Sequence, residues 1–113
     1  MTVEQLKEWG ANTEEGLSRC FGKADFYLRL VGMVGADKNY DALCAALEEK
    51  KLDQAFEAAH AMKGVLANLS LTPLLKPVSE MTELLRTRAE VDYGPLLSEI
   101  KAQREAFLAL CRQ

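Results

Sequence analysis

Apolar positions recur every three or four residues along nearly the whole chain, the spacing that lines up one face of an α-helix. Val3, Leu6 and Trp9 share a side of a first short segment, opened by Thr2 and Gln5 at capping-box spacing and closed by Gly10. Asn12 and Thr13 precede Glu14 and Glu15, the acidic first turn of a second short helix running through Cys20. Phe26, Leu30 and Val34, with Tyr27 and Val31 beside them, predict a third helix ending around Gly35 to Asp37. Asn39 is placed to cap the next helix, in which Tyr40, Leu43, Ala46 and Leu47 keep the period, and Glu48 to Lys51 reads as a solvated end and turn. A longer helix is expected from about Asp53 to Leu69.

Beyond it, Thr72-Pro73 has the look of an N-cap followed by proline at the first helical position, where the missing N–H costs nothing. Leu74, Val78, Met81, Leu84 and Leu85 carry that helix to about Arg88. Pro77 falls one turn inside it and removes a backbone bond, so the helix either starts there or bends there, and a bent first turn is favoured. Asp92 to Pro95 predicts a turn, and Leu97, Ile100, Phe107 and Cys111 line a last helix. Short connections make sequential helices antiparallel neighbours. The expectation is one all-α domain over residues 1–113, an up-down-up-down four-helix bundle with short N-terminal capping helices.

Composition strengthens this picture. Eighteen Leu and fifteen Ala stand against six Val and a single Ile, so residues that favour helices abound and strand formers are scarce. A net charge of −3 argues against nucleic acid as a partner, since that role needs a basic face. No apolar run approaches the ~20 residues that span a bilayer, and the start MTVEQLKEWG is too acidic for a signal peptide. Cys20, Cys44 and Cys111 are scattered without a CxxC pair, which suits reduced thiols in a cytoplasm. With one histidine and no Cys/His cluster, no zinc site is expected.

Chemistry concentrates on the helix 53–69. At ~100° per residue, Leu52, Phe56, Ala59, Met62, Leu66 and Leu69 form its buried stripe. His60 lies roughly 120° from the centre of that stripe, on a side shared with Asp53, Glu57 and Gly64, and is expected to face solvent. Lys63, three residues on, can reach over the imidazole edge. Gly64 sits mid-helix, where glycine costs roughly 1 kcal/mol against alanine, and its benefit is to let another surface approach the backbone. Ala61, Val65 and Ala67 stand nearby where lysine and glutamate would be usual. A lone histidine is more often structural, and a surface lysine is commonplace. The combination of exposed His, Lys at +3 and an otherwise unhelpful Gly at +4 points instead to a reactive group beside a docking patch.

Ala59-His60-Ala61-Met62-Lys63-Gly64, continuing Val65-Leu66-Ala67-Asn68-Leu69, closely resembles the signature of histidine-containing phosphotransfer (HPt) domains of multi-step phosphorelays. Met62 stands for the usual Leu, and Ser70 stands where glycine is common at the helix end. The resemblance implies that His60 is the phosphoacceptor, attacking a receiver aspartyl phosphate through its outer ring nitrogen. An imidazole is largely neutral at cytoplasmic pH, with one lone pair free for this. Lys63 would stabilise the arriving phosphoryl group, and Gly64 would admit the partner. Glu57, Ala61, Ala67 and Asn68 would belong to the receiver docking face, and Asp53 or Glu57 could tune the ring, although solvated surface is the simpler role for both.

Phosphoryl transfer normally needs magnesium, but there is no acidic cluster or Gly-rich nucleotide loop to hold it or ATP. The metal is expected on the receiver, leaving this chain without a cofactor and as a carrier without its own turnover. The implied partners are a response regulator receiver domain, a hybrid histidine kinase, or both, with the chain itself a monomer and neither nucleic acid nor membrane involved. Three other readings compete. A non-phosphorylated helical adaptor would dock a receiver or kinase, yet it has no reason to keep the nucleophile. A domain cut from a larger kinase is disfavoured by Met1 and the lack of a linker-like end. A structural bundle with an incidental histidine predicts that His60→Gln changes nothing.

Overall fold

The computed structural model covers residues 1–113 and is all-helical. Seven helices follow in order: α1 (Val3–Trp9), α2 (Thr13–Arg19), α3 (Ala24–Val34), α4 (Asn39–Glu48), α5 (Leu52–Asn68), α6 (Thr72–Arg86) and α7 (Gly94–Cys111). The α5 helix packs against α4 on one side and α6 on the other, α6 continues to α7, and α1 lies against α7. No helix is long and apolar enough to cross a membrane.

Local chemistry explains the helix ends. The expected capping box opens α1: Gln5 N–H donates to Thr2 Oγ1 at 3.1 Å, and Thr2 N–H donates to Gln5 Oε1 at 2.8 Å. Asn12 Oδ1 accepts from Glu15 N–H at the start of α2. Two expected caps fall elsewhere. Asn39 is the first helical residue of α4, and the carboxylate of Asp37 accepts both its backbone and its side-chain N–H. Thr72 is already inside the first turn of α6, its hydroxyl turned back to the Ser70 carbonyl. Pro77 lies within α6 and is buried, so the helix does not begin there. One turn from the start, its missing N–H removes a single bond near the helix end rather than breaking a long ladder.

Four helices stop at a non-glycine residue in the left-handed region: Phe21 after α2, Lys50 after α4, Ser70 after α5 and Arg88 after α6. After α5 the bonds form a Schellman pair, Leu71 N–H to Leu66 C=O at 3.0 Å and Ser70 N–H to Ala67 C=O at 3.1 Å. Each such position carries a Cβ penalty of about 1 kcal/mol.

The core draws on every helix except α2, with Leu6, Tyr27, Val31, Leu43, Leu66, Val78, Met81, Leu85, Ile100 and Phe107 buried. On α3 it is Tyr27 and Val31 that turn inward, while Phe26 is exposed, so that face is rotated from the Phe26–Leu30–Val34 expectation. On α5 the buried residues are Ala55, Ala58, Ala59, Met62 and Leu66; Leu52 and Phe56 lie at the margin. Small alanines supply three of these five buried positions, while Phe56 packs against the core from its margin.

Candidate functional site

Helix α5 presents Asp53, Glu57, His60, Ala61 and Gly64 to solvent, as the periodicity predicts. The imidazole of His60 makes no hydrogen bond within the chain. Its neighbour is Phe56, one turn earlier, with ring centroids 5.5 Å apart and planes inclined by 16°. Over the Phe56 ring lie two guanidinium groups, Arg86 at 5.2 Å and Arg88 at 4.9 Å. Arg88 in turn pairs with Asp53. Asp53 is therefore engaged with Arg88 and does not orient the imidazole. Glu57 has no side-chain partner.

Lys63 is half-buried, and its Nζ lies 3.9 Å from Glu83 Oε1 on α6. The other carboxylate oxygen of Glu83 accepts from Arg86 Nε at 2.8 Å. That hydrogen bond, joined by the charges of Arg86, Lys63 and His60, holds the Glu83 carboxyl below the ordinary range. The lysine is loosely held, close enough to its carboxylate to be oriented but free to turn to another anion.

Gly64 bears out its oddity. A Cβ built there meets nothing within 4 Å, so no neighbour inside the molecule requires a glycine. Beside it runs an open groove of about 970 Å³ whose walls are Gly64, Val65, Ala67 and Asn68 of α5 and Leu30, Met33 and Val34 of α3. Met33 is 63% exposed and Val65 is 41% exposed, so apolar side chains reach solvent along the groove, with Arg19, Asp37 and Asn39 also lining it. Ala61 and Asn68 are exposed and Ala67 is half-buried at its margin.

Several of these neighbours lie beyond the reach of sequence spacing. Glu83, Arg86 and Arg88 join the site only because α6 packs on α5, and Met33 only because α3 meets the far end of α5. The nearness of Phe56 to His60 follows from their four-residue separation, but its place on the apolar stripe assigns Phe56 to the core.

The C-terminal end of α5 is held from outside the helix. Arg19 donates to the Ala67 carbonyl, Tyr27 Oη donates to the Leu69 carbonyl at 2.9 Å, and Asn12 N–H donates to the Ser70 carbonyl at 2.9 Å. Ser70 Oγ donates to Glu15, which also pairs with Arg19 at 2.8 Å. Carbonyls that a helix end leaves without partners are thus satisfied by the N-terminal segment.

The Hpt domain family matches residues 33–110, more than half of the chain. The chain belongs to the Hpt domain family. Domains of this family are helical phosphocarriers of phosphorelays, working with receiver domains and kinases. The matched stretch holds His60, Lys63, Gly64 and Glu83, while α1, α2 and most of α3 precede it. No curated protein and no solved structure matches the chain.

Proposed function

We propose that this Hpt domain is a histidine phosphotransfer protein of a two-component phosphorelay in the cytoplasm, with His60 as its phosphoacceptor. The observation that carries the reading is a solvent-facing imidazole with no intrachain hydrogen bond, set beside Lys63 and a glycine whose side opens to empty space. The outer ring nitrogen attacks the phosphorus of a receiver aspartyl phosphate in line. The N–P bond forms as the P–O bond breaks, and the aspartate leaves as a carboxylate with the bonding pair. The ring keeps its other N–H and becomes a cationic phosphoimidazole. Return of the phosphoryl group to a receiver aspartate is the same step reversed.

Lys63 exchanges its loose contact with Glu83 for the phosphoryl oxygens, offsetting charge as it arrives. Gly64 leaves room for the partner's loops, and Glu57, Ala61, Ala67 and Asn68 contribute to the face on which a receiver sits. Magnesium belongs to the receiver, and this domain supplies nucleophile, cation and docking surface without turnover of its own. The short connections between contacting helices favour an up-down-up-down order for α4 to α7.

The test is exposure to phosphoramidate with intact-mass detection, on wild type and His60→Gln. A single acid-labile phosphoryl adduct present only in the wild type is expected. If conditions that label a known HPt domain leave this chain unmodified, the nucleophile assignment fails and a docking adaptor takes its place.

A further inference from the structure

Phe56 is a large apolar residue that the core does not take up. It packs at the core margin while its ring lies nearly parallel to that of His60, 5.5 Å away and inclined by 16°. The far end of this stack is tied down. Arg86 and Arg88 cover the Phe56 ring, Arg88 pairs with Asp53, and its Nη1 donates to the carbonyls of Leu85 at 2.7 Å and Arg86 at 3.2 Å. The polar groups that could otherwise orient the imidazole are engaged elsewhere or free: Asp53 with Arg88, Glu83 with Arg86 and Lys63, and Glu57 with nothing. Stacking is therefore the contact that sets the plane of the nucleophile.

We infer that Phe56 is a positioning residue for His60, holding the imidazole plane in one orientation so that a phosphoryl group fixed on a docked protein meets the ring nitrogen in line. The inference rests on the phosphoacceptor reading and deepens it. A docked donor brings its phosphorus in along one direction and reacts only with the fraction of rings that match, whereas a small donor diffuses to the ring in any rotamer. Loss of the offset aromatic stack lowers the matching fraction by roughly two- to twelvefold.

The experiment compares wild type, Phe56→Leu and Phe56→Tyr with two donors: phosphoramidate, and a receiver domain charged with acetyl phosphate that labels the wild type. Phe56→Leu is expected to react with phosphoramidate within twofold of wild type but to accept phosphate from the receiver two- to twelvefold more slowly, and Phe56→Tyr to restore the rate. The His60 ring protons of the wild type should resonate upfield of those in Phe56→Leu, through the ring current of the stacked phenyl. Receiver transfer at the wild-type rate in Phe56→Leu, an equal fall with both donors, or unchanged ring-proton shifts overturns the inference. If Phe56→Leu does not fold, wild-type His60 ring protons at free-histidine positions overturn it and upfield positions support it. A wild type that phosphoramidate leaves unlabelled at His60 defeats the carrier reading itself, whereas a labelled wild type with an unaffected Leu variant defeats this inference alone.

Discussion

Gly64 separates folding from function with one substitution. Replacing it with alanine adds a methyl group pointing into space with no heavy atom within 4 Å, so no steric penalty arises. The position lies inside α5, five residues from Leu69, where alanine exceeds glycine by about 0.5–1 kcal/mol, mainly by restricting the unfolded chain. For a domain of this size that corresponds to a Tm rise of about 4 °C. A partner whose loops close over this backbone meets the methyl group directly, and overpacking in a tight contact costs about 1–3 kcal/mol, roughly five- to 150-fold in transfer efficiency. Gly64→Gln, whose helix propensity is also better than that of glycine, should obstruct the partner more while keeping the gain in stability. Thermal unfolding by circular dichroism reads the first effect, and phosphoryl transfer from a charged receiver domain reads the second. Phosphoramidate labelling of His60 serves as a control that should stay within twofold. A fall in Tm for Gly64→Ala would refute the claim that the fold has no use for this glycine, and wild-type receiver transfer in Gly64→Gln would refute the claim that a partner does.

Other outcomes follow from the same contacts. Gly16→Ala would place a Cβ 2.5 Å from Cε1 of the buried Tyr27 ring, so urea denaturation should show a loss of about 1–3 kcal/mol. Arg19→Ala removes the donor to the Ala67 carbonyl and the partner of Glu15, and about 1 kcal/mol of stability should go with them, with the earliest increase in amide exchange at the end of α5. Lys50→Gly relieves a left-handed non-glycine residue at an exposed position; the Cβ penalty removed exceeds the unfolded-state entropy added, giving a gain of up to about 0.5 kcal/mol by the same assay. Burial pushes the Tyr27 phenol from 10.0 up to about 12, so the folded state favours the neutral form. Its contribution is complete below pH 10 and is lost as pH rises to 12, so over that window denaturation curves of the wild type should fall by about 2–3 kcal/mol more than those of Tyr27→Phe, in which Tyr40 and Tyr93, also raised by burial, still contribute.

The parts of this molecule that were legible in sequence are those set by local spacing. The capping box at Thr2, the order of the helices and the outward face of His60 and Gly64 follow from periods of three and four within single helices. What escaped depends on which helices meet. Phe56 carries an apolar label that reads as core, yet Ala55, Ala58 and Ala59 take buried positions of α5 and Phe56 ends at the core margin beside His60 instead. Ser70 shows how far such effects reach. It takes the left-handed position at φ 56 that glycine adopts freely, and bonds made by Asn12, Arg19 and Glu15 from the N-terminal segment help offset the strain. Those bonds, with Tyr27 on the Leu69 carbonyl, fix the end of α5 against α2 and α3. The same junction brings Leu30 and Met33 opposite Gly64 and Val65, so the groove beside α5 is lined in part by Arg19 and Leu30, which precede the family match. The N-terminal helices thus do more than cover the core: by anchoring α5 through its last carbonyls they shape the surface next to His60 on which a partner would have to fit.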